Sequence, residues 1–363
     1  MASTDPTADL ANQLEPDDEQ SSEQDSAYGD DDLISERTSL FSDIMKYREE
    51  VHDTFVSAFS PDTDTWLLGQ NGRRYHGYKD GAYLLALQHH HIFNLANGGK
   101  LYLAPIERPA RVLDVGTGTG IWAMDFGDAH EESHVIGIDL SPIQPAWWGS
   151  PIVSDEQFRL LLILSRVAPN VEFLVDDAED LWLGNTYDYI HIRMLSGAIK
   201  DWPGLLAKAF DHMNPGGWIE LTEFEVWLHS HNNSLHRAPD IQTWQEGLRE
   251  AAALIGRRFD VAVNLENWVR QANFTNVTQH KIIVPAAPWP KNKELKTLGA
   301  YQLLNMLDAA SSYGQAHFTR VLGWSADEYA VLSAKVRSQL KDRTLQLYSD
   351  LYTVYARKPM TAP

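Results

Sequence analysis

From Arg111 onward the apolar positions fall into short runs separated by polar, glycine-bearing turns. Arg111-Val-Leu-Asp-Val115, His134-Val-Ile-Gly-Ile-Asp139, Val171-Glu-Phe-Leu-Val175 and residues 187–192 each read as a strand. Ile121–Ala129 reads as a helix, and 202–213 places Leu205, Leu206, Ala209, Phe210 and Met213 at helical spacing. A Pro215-Gly216-Gly217 break then leads into a strand at 218–221. Strands alternating with helices in this way predict an α/β fold with a mostly parallel sheet, whose ligand crevice lies at the carboxyl ends of the strands. Helices near 240–255 and 265–272, a strand at 277–284, a helical region over 294–350 and a strand at 352–357 follow. The late strands are expected at the sheet edge, one of them antiparallel. Residues 37–97 have a helical pattern, interrupted by the run NGRRYHGY at 71–78.

Composition narrows the picture by exclusion. The chain has 363 residues and no cysteine, so disulfides, thiolate catalysis and zinc–thiolate sites are all excluded. No run approaches the roughly 18 apolar residues of a membrane span, and the acidic, polar N-terminus resembles neither a signal nor a transit peptide. The expectation is an intracellular protein, cytoplasmic or nuclear, with no membrane association. Of the net charge of −20, residues 1–36 hold twelve acids and no Lys or Arg. That tail is expected to be disordered, because it has too little apolar surface to repay ordering. With no basic stripe to neutralise phosphates, direct nucleic-acid binding is not expected.

Candidate chemistry begins at Asp114-Val-Gly116-Thr117-Gly118-Thr-Gly120, between a strand and a helix. Dinucleotide loops run G-x-G-x-x-G to seat a pyrophosphate on a helix N-terminus. This one runs G-x-G-x-G behind a carboxylate, which repels phosphate and accepts from an ammonium, as in the methionyl part of S-adenosylmethionine. Asp139 closes the second strand, twenty-three residues beyond Gly116, where a carboxylate can accept both ribose hydroxyls of a nucleoside. Asp176-Asp177-Ala178-Glu179 follows the third strand, placed to meet an adenine edge. Asp176 and Glu179 read equally well as turn-formers or helix caps. The ordered series, more than any single acid, points to S-adenosylmethionine as the cofactor. A NAD-dependent oxidoreductase is disfavoured by the glycine spacing and by Asp114.

The chain resembles the fungal LaeA-like methyltransferases of the class I S-adenosylmethionine-dependent superfamily. The matching text includes NGRRYHGY (71–78), GKLYLAPI (99–106), VLDVGTGTGIWAMDF (112–126), IGIDLSPIQPAW (136–147), PNVEFLVDDAED (169–180), YDYIHIRML (187–195), NPGGWIEL (214–221) and APWPKNKELKTLGAY (287–301). The resemblance implies a Rossmann-like sheet flanked by helices, with N- and C-terminal helical additions forming a cap. It also implies that Asp114, Gly116, Thr117, Gly118 and Gly120 hold the methionyl end, Asp139 the ribose, and Leu140 a place beside the adenine. Asp177 and Ala178 would bind the adenine edge. His191 and Arg193 would face the sulfonium and acceptor, and Tyr75 and His76 would roof the pocket.

Methyl transfer from a sulfonium asks mainly for in-line positioning and exclusion of water. An oxygen or nitrogen nucleophile can also use a base, for which His76, His191 and Glu223 are the candidates. The triplet His89-His90-His91 reads as a solvated helix face and not as a metal site, because consecutive helical residues point in different directions. No metal is expected.

Two departures from the family stand out. Residues 148–166 intervene with an apolar run at 160–164, and the acidic segment that precedes the LQHHIF-bearing helix is missing. The insert lacks turn signals and is expected either to be absent from the natural protein, as a retained intron, or to pack poorly.

The organisation expected is an acidic tail (1–36), a helical cap segment (37–106), a Rossmann-like core (107–230, containing the insert) and C-terminal helices and edge strands (231–363). The activity expected is methylation of an O or N atom of a small-molecule secondary metabolite. The alternative is a methyltransferase-like regulatory subunit of a nuclear complex controlling secondary metabolism, with protein partners.

Overall fold

The computed structural model describes residues 14–17, 80–140, 168–182 and 184–360, with only the backbone of 80–87. Tyr75, His76 and the insert at 148–166 lie outside the described residues.

Among the described residues eight strands form one sheet: β1 (Arg111–Val115), β2 (His134–Asp139), β3 (Val171–Val175), β4 (Tyr187–Arg193), β5 (Met213–Phe224), β6 (His229–Ser230), β7 (Thr275–Pro285) and β8 (Leu347–Arg357). The order is β3-β2-β1-β4-β5-β8, with β7 on the far side of β8 and β6 extending the row of β5 along the start of β8. The first five strands in that order are parallel. Strand β8 runs antiparallel to both β5 and β7, as expected of a late strand.

Alternation along the strands divides the core into two layers. Leu113, Val115, Ile136, Ile138, Ile190 and Ile192 face one side, against helix α3 (Trp202–Asp211) and helix α5 (Leu265–Gln271). Val112, Val135 and Tyr189 face the other, against Trp122, Ala123 and Phe126 of helix α2 (Ile121–Ala129). A third cluster joins Phe224, Val284 and Leu351, all at the carboxyl end of the parallel strands, to four helices. These are α1 (Asp80–Ala96), α4 (Pro239–Leu254), α6 (Lys293–Ala316) and α7 (Ala326–Leu340). Helices from both ends of the chain thus cap the edge of the sheet where the ligand crevice belongs.

Three expectations are corrected. The Pro-Gly-Gly sequence does not precede the strand but lies inside β5. There Tyr187 pairs with Met213 and Tyr189 with Trp218, so residues 214–217 bulge opposite Asp188. The helical pattern assigned to 294–350 ends earlier, and β8 begins at Leu347.

Within the acidic tail, residues 14–17 are packed against the domain, against the expectation for that stretch. Leu14 is buried in the third cluster, Pro16 bridges Pro290, and backbone bonds join Lys291 N–H to Glu15 O (2.8 Å) and Asp17 N–H to Trp289 O (3.1 Å). Asp17 also pairs with Lys296. One leucine with a docking groove suffices where average composition predicted none. Among the described residues no helix is long and apolar enough to cross a membrane.

Candidate functional site

The loop from β1 to α2 turns through Gly116, Gly118 and Gly120, all at positive φ (68°, 59° and 76°). Thr117 N–H donates to Ile138 O (2.9 Å), and Gly118 N–H donates to Asp139 Oδ2 (2.9 Å), so the end of β2 ties the loop down. At the end of β3, Asp176 N–H donates to Asp139 O (3.0 Å), which brings the acids after strands two and three together. Asp177 Oδ1 accepts from Glu179 N–H (2.9 Å). Ala178 O accepts from Trp182 Nε1 (3.1 Å) and Lys208 Nζ (2.9 Å). Glu179 is a turn anchor, accepting from Lys200 and Asp201 N–H. Leu140, 46% exposed, leaves an apolar surface beside Asp139.

On the α2 face of the sheet, a row of polar side chains crosses the central strands. Asp114 is registered with His191, and His191 with Glu220. Asp114 Oδ1 accepts from His191 Nδ1 (2.7 Å), which fixes the imidazole tautomer and leaves Nε2 with a lone pair. The ring stacks on Trp122 at 3.7 Å between centroids. Burial lowers the His191 pKa against the pull of Asp114, so the ring is neutral. Glu220 accepts from Leu103 N–H (2.8 Å) and Ala104 N–H (2.6 Å), clamping the segment that precedes β1. Burial pushes its pKa up to about 7 despite those donors.

Arg193, at the end of β4, lies on the same face, over the Phe93 ring (4.8 Å) and 3.2 Å from His90 Nδ1. Burial lowers its pKa to about 10, opposed most by Asp114 and then by Asp125 and Glu220.

Glu223 sits elsewhere. By strand alternation it faces the opposite side of the sheet from His191 and Arg193. It is fully buried and accepts from Leu195 N–H (2.5 Å), Ser196 N–H (3.2 Å) and Ser196 Oγ (2.8 Å), the loop after β4. Burial raises its pKa to about 7 against these donors. Of the candidate bases, His76 lies outside the described residues, and Glu223 and His191 lie on opposite faces of the sheet.

The polar atoms left over fit the methionyl end of S-adenosylmethionine. Asp114 Oδ2, Thr117 Oγ1 and Thr119 Oγ1 are buried with no hydrogen-bond partner, an arrangement costly to leave empty. A Cβ at Gly118 would meet nothing nearer than Gly116 O at 4.0 Å, so the loop opens there.

Sequence reasoning missed Glu220, Asp125 and His90. Glu220 had a readable signal, an acid at an inward position of Trp-Ile-Glu-Leu. His90 was misread as solvated. It is 1% exposed, with Nε2 2.9 Å from Asp125 Oδ2.

Residues 88–279 match the family described as "Methyltransferase domain". The chain is 36% identical to "Methyltransferase pytC" of Aspergillus terreus, over 80% of this chain and 87% of that one. It is 30% identical to "Secondary metabolism regulator laeA" of Aspergillus fumigatus, over 80% of this chain and 76% of that one. To "Probable methyltransferase tdiE" of Emericella nidulans it is 29% identical, over 76% and 81%.

Proposed function

Because the chain belongs to the fungal LaeA-like class I S-adenosylmethionine-dependent methyltransferases, we propose that it moves the donor's methyl group to an oxygen or nitrogen of a small-molecule secondary metabolite. The observation that carries the site assignment is the buried, unpartnered Asp114 Oδ2 beside the open face of Gly118. On this reading Asp114 and the Gly116–Thr117–Gly118–Gly120 loop receive the methionyl ammonium, with Arg193 nearby. Asp139 accepts from the ribose hydroxyls, Leu140 flanks the adenine, and Asp177 and Ala178 meet its edge. Bound there, S-adenosylmethionine supplies an electrophilic methyl group. The chain's own contribution is to align the acceptor and keep water out. His191, neutral and with Nε2 unprotonated, is the base candidate that the hydrogen bonds favour. Glu223, with its oxygens engaged by the loop after β4, serves better as that loop's anchor.

A second reading is favoured by relatives named as regulators of secondary metabolism: a methyltransferase-like subunit that acts through protein partners. The two separate experimentally. The purified protein is incubated with labelled S-adenosylmethionine and a fungal metabolite extract, and in parallel a tagged copy is used to recover partners. Labelled small-molecule product supports the first reading. No transfer to any metabolite, with a stoichiometric partner recovered, would overturn it. Asp139→Ala is expected to cost about 1–3 kcal/mol of donor affinity by calorimetry, the scale of lost hydrogen bonds to a charged acceptor. Unchanged affinity in the folded variant would remove Asp139 from the ribose site.

A further inference from the structure

Of the three consecutive histidines on α1, His90 is the one that contacts Arg193, while His89 lies near enough that burial, and then the Arg193 charge, lower its pKa to about 4. Neighbours on a helix point about 100° apart, and the ring of His91 goes to Tyr301 (5.3 Å) and that of His89 toward Phe93 (6.5 Å). His90 turns inward between two charged groups. Its Nδ1 lies 3.2 Å from Arg193 Nη2, and its Nε2 lies 2.9 Å from Asp125 Oδ2. A guanidinium only donates, so Nδ1 must accept and the ring proton must sit on Nε2, directed at Asp125. With the proton on Nε2, Asn94 Nδ2, 3.1 Å away on the same helix, is a second donor and makes no hydrogen bond to it.

One turn along, Phe93 lies under the guanidinium at 4.8 Å. One helix therefore grips Arg193 at an edge and at a face. Asp125 lies on α2, the helix that the glycine loop opens, so the chain Asp125–His90–Arg193 ties that helix to the end of β4 through the cap. Among the described residues the guanidinium makes one side-chain hydrogen bond, to His90, of the five its N–H groups can donate. A half-buried cation held so firmly and left with open donors is an anion receptor.

We propose that His90 and Phe93 are positioning residues that aim Arg193 at the carboxylate of the donor's methionyl group, while the open oxygen of Asp114 takes its ammonium. The proposal rests on the cofactor assignment above and deepens it. The cap helix becomes part of the cofactor site without touching the cofactor.

The test uses the full chain and two ligands in calorimetry: S-adenosylhomocysteine and its decarboxylated analogue, which keeps the amine and the nucleoside. Wild type is expected to bind the first more tightly. His90→Ala should lose about tenfold on S-adenosylhomocysteine, the scale of one charge-assisted hydrogen bond, and stay within about twofold on the analogue. His90→Gln, whose amide can both accept and donate, should recover most of the loss. Arg193→Gln gives the same carboxylate-selective loss, and adding His90→Ala to it should cost nothing more. Equal losses on both ligands, no loss on either, or a wild type indifferent to the carboxylate would each overturn the proposal. A wild type that binds neither ligand would instead overturn the cofactor assignment itself, and this inference with it.

Discussion

The three glycines that open α2 carry different burdens, and substitution can tell them apart. A Cβ at Gly116 would lie 2.4 Å from Leu195 Cδ2, and one at Gly120 2.4 Å from the Phe173 ring. At Gly118 the space is open. All three sit at positive φ, so any alanine there costs roughly 1–2 kcal/mol of backbone strain. Gly116→Ala also sets its methyl group against the tip of the Leu195 side chain, in the loop after β4, and should act on the fold, lowering the melting temperature by a few degrees. Gly118→Ala adds no collision within the protein, and its methyl group enters the space assigned to the donor. Its affinity for S-adenosylmethionine should fall by more than its stability does. Thermal melts and calorimetry on both variants check this, and the same balance of losses in each would mean that loop conformation, not space, is what the glycines supply.

At the scale of elements, the acidic tail is where average composition misleads. Residues 14–17 seat one leucine, two backbone hydrogen bonds and an ion pair on the entrance to α6. Removing a buried Leu side chain costs about 2–5 kcal/mol in a closed core, and a strap near a chain end should give the lower part of that range. A chain beginning at Arg37 should therefore melt measurably lower than the full chain, whereas one beginning at Gln13 should not. Equal melting of all three would show that the strap contributes nothing.

The elements themselves were legible where burial is two-sided. Strands β1 to β3 and helix α2 were read from sequence with the bounds the structure gives, because apolar runs flanked by turn residues have few other homes. The Pro-Gly-Gly bulge was not, since the same residues that break a strand also permit a bulge, and only pairing with β4 and β8 decides. The proposed site was half legible. Asp114, Asp139 and the glycines announce themselves by spacing. His90 and Glu220 depend on which neighbours the cap and the pre-β1 segment bring, and no local pattern carries that.

Across the whole molecule, two buried carboxyls make stability a function of pH in a specified direction. Glu220 and Glu223 are both pushed from 4.5 to about 7 by burial, against the backbone donors each one holds. Between those two values the folded chain binds more protons than the unfolded chain, so the slope of unfolding free energy with pH is negative. Stability from these groups is fully present below about 4.5 and is lost as pH rises through about 7. His191 works the other way. Its pKa is lowered by burial, so its contribution is present above 6.5 and lost as pH falls through the folded value. The two signs separate by substitution. In Glu220→Gln and Glu223→Gln the amide oxygen keeps an acceptor for the clamped N–H groups but cannot ionise. Each variant should match wild type most closely near pH 5, where the buried carboxyl is neutral, and become the more stable of the two toward pH 8, by up to about 3 kcal/mol for a shift of this size. Melting temperatures of wild type and both variants across pH 5 to 8 check this. A difference that stays constant with pH would mean the carboxyls do not titrate in that window. Because Glu220 holds the segment before β1 and Glu223 the loop after β4, the loss at high pH should be felt first at those two segments. Protease cleavage near residues 101–106 and 194–198 should accordingly rise between pH 6 and 8 in wild type and stay flat in the matching Gln variant.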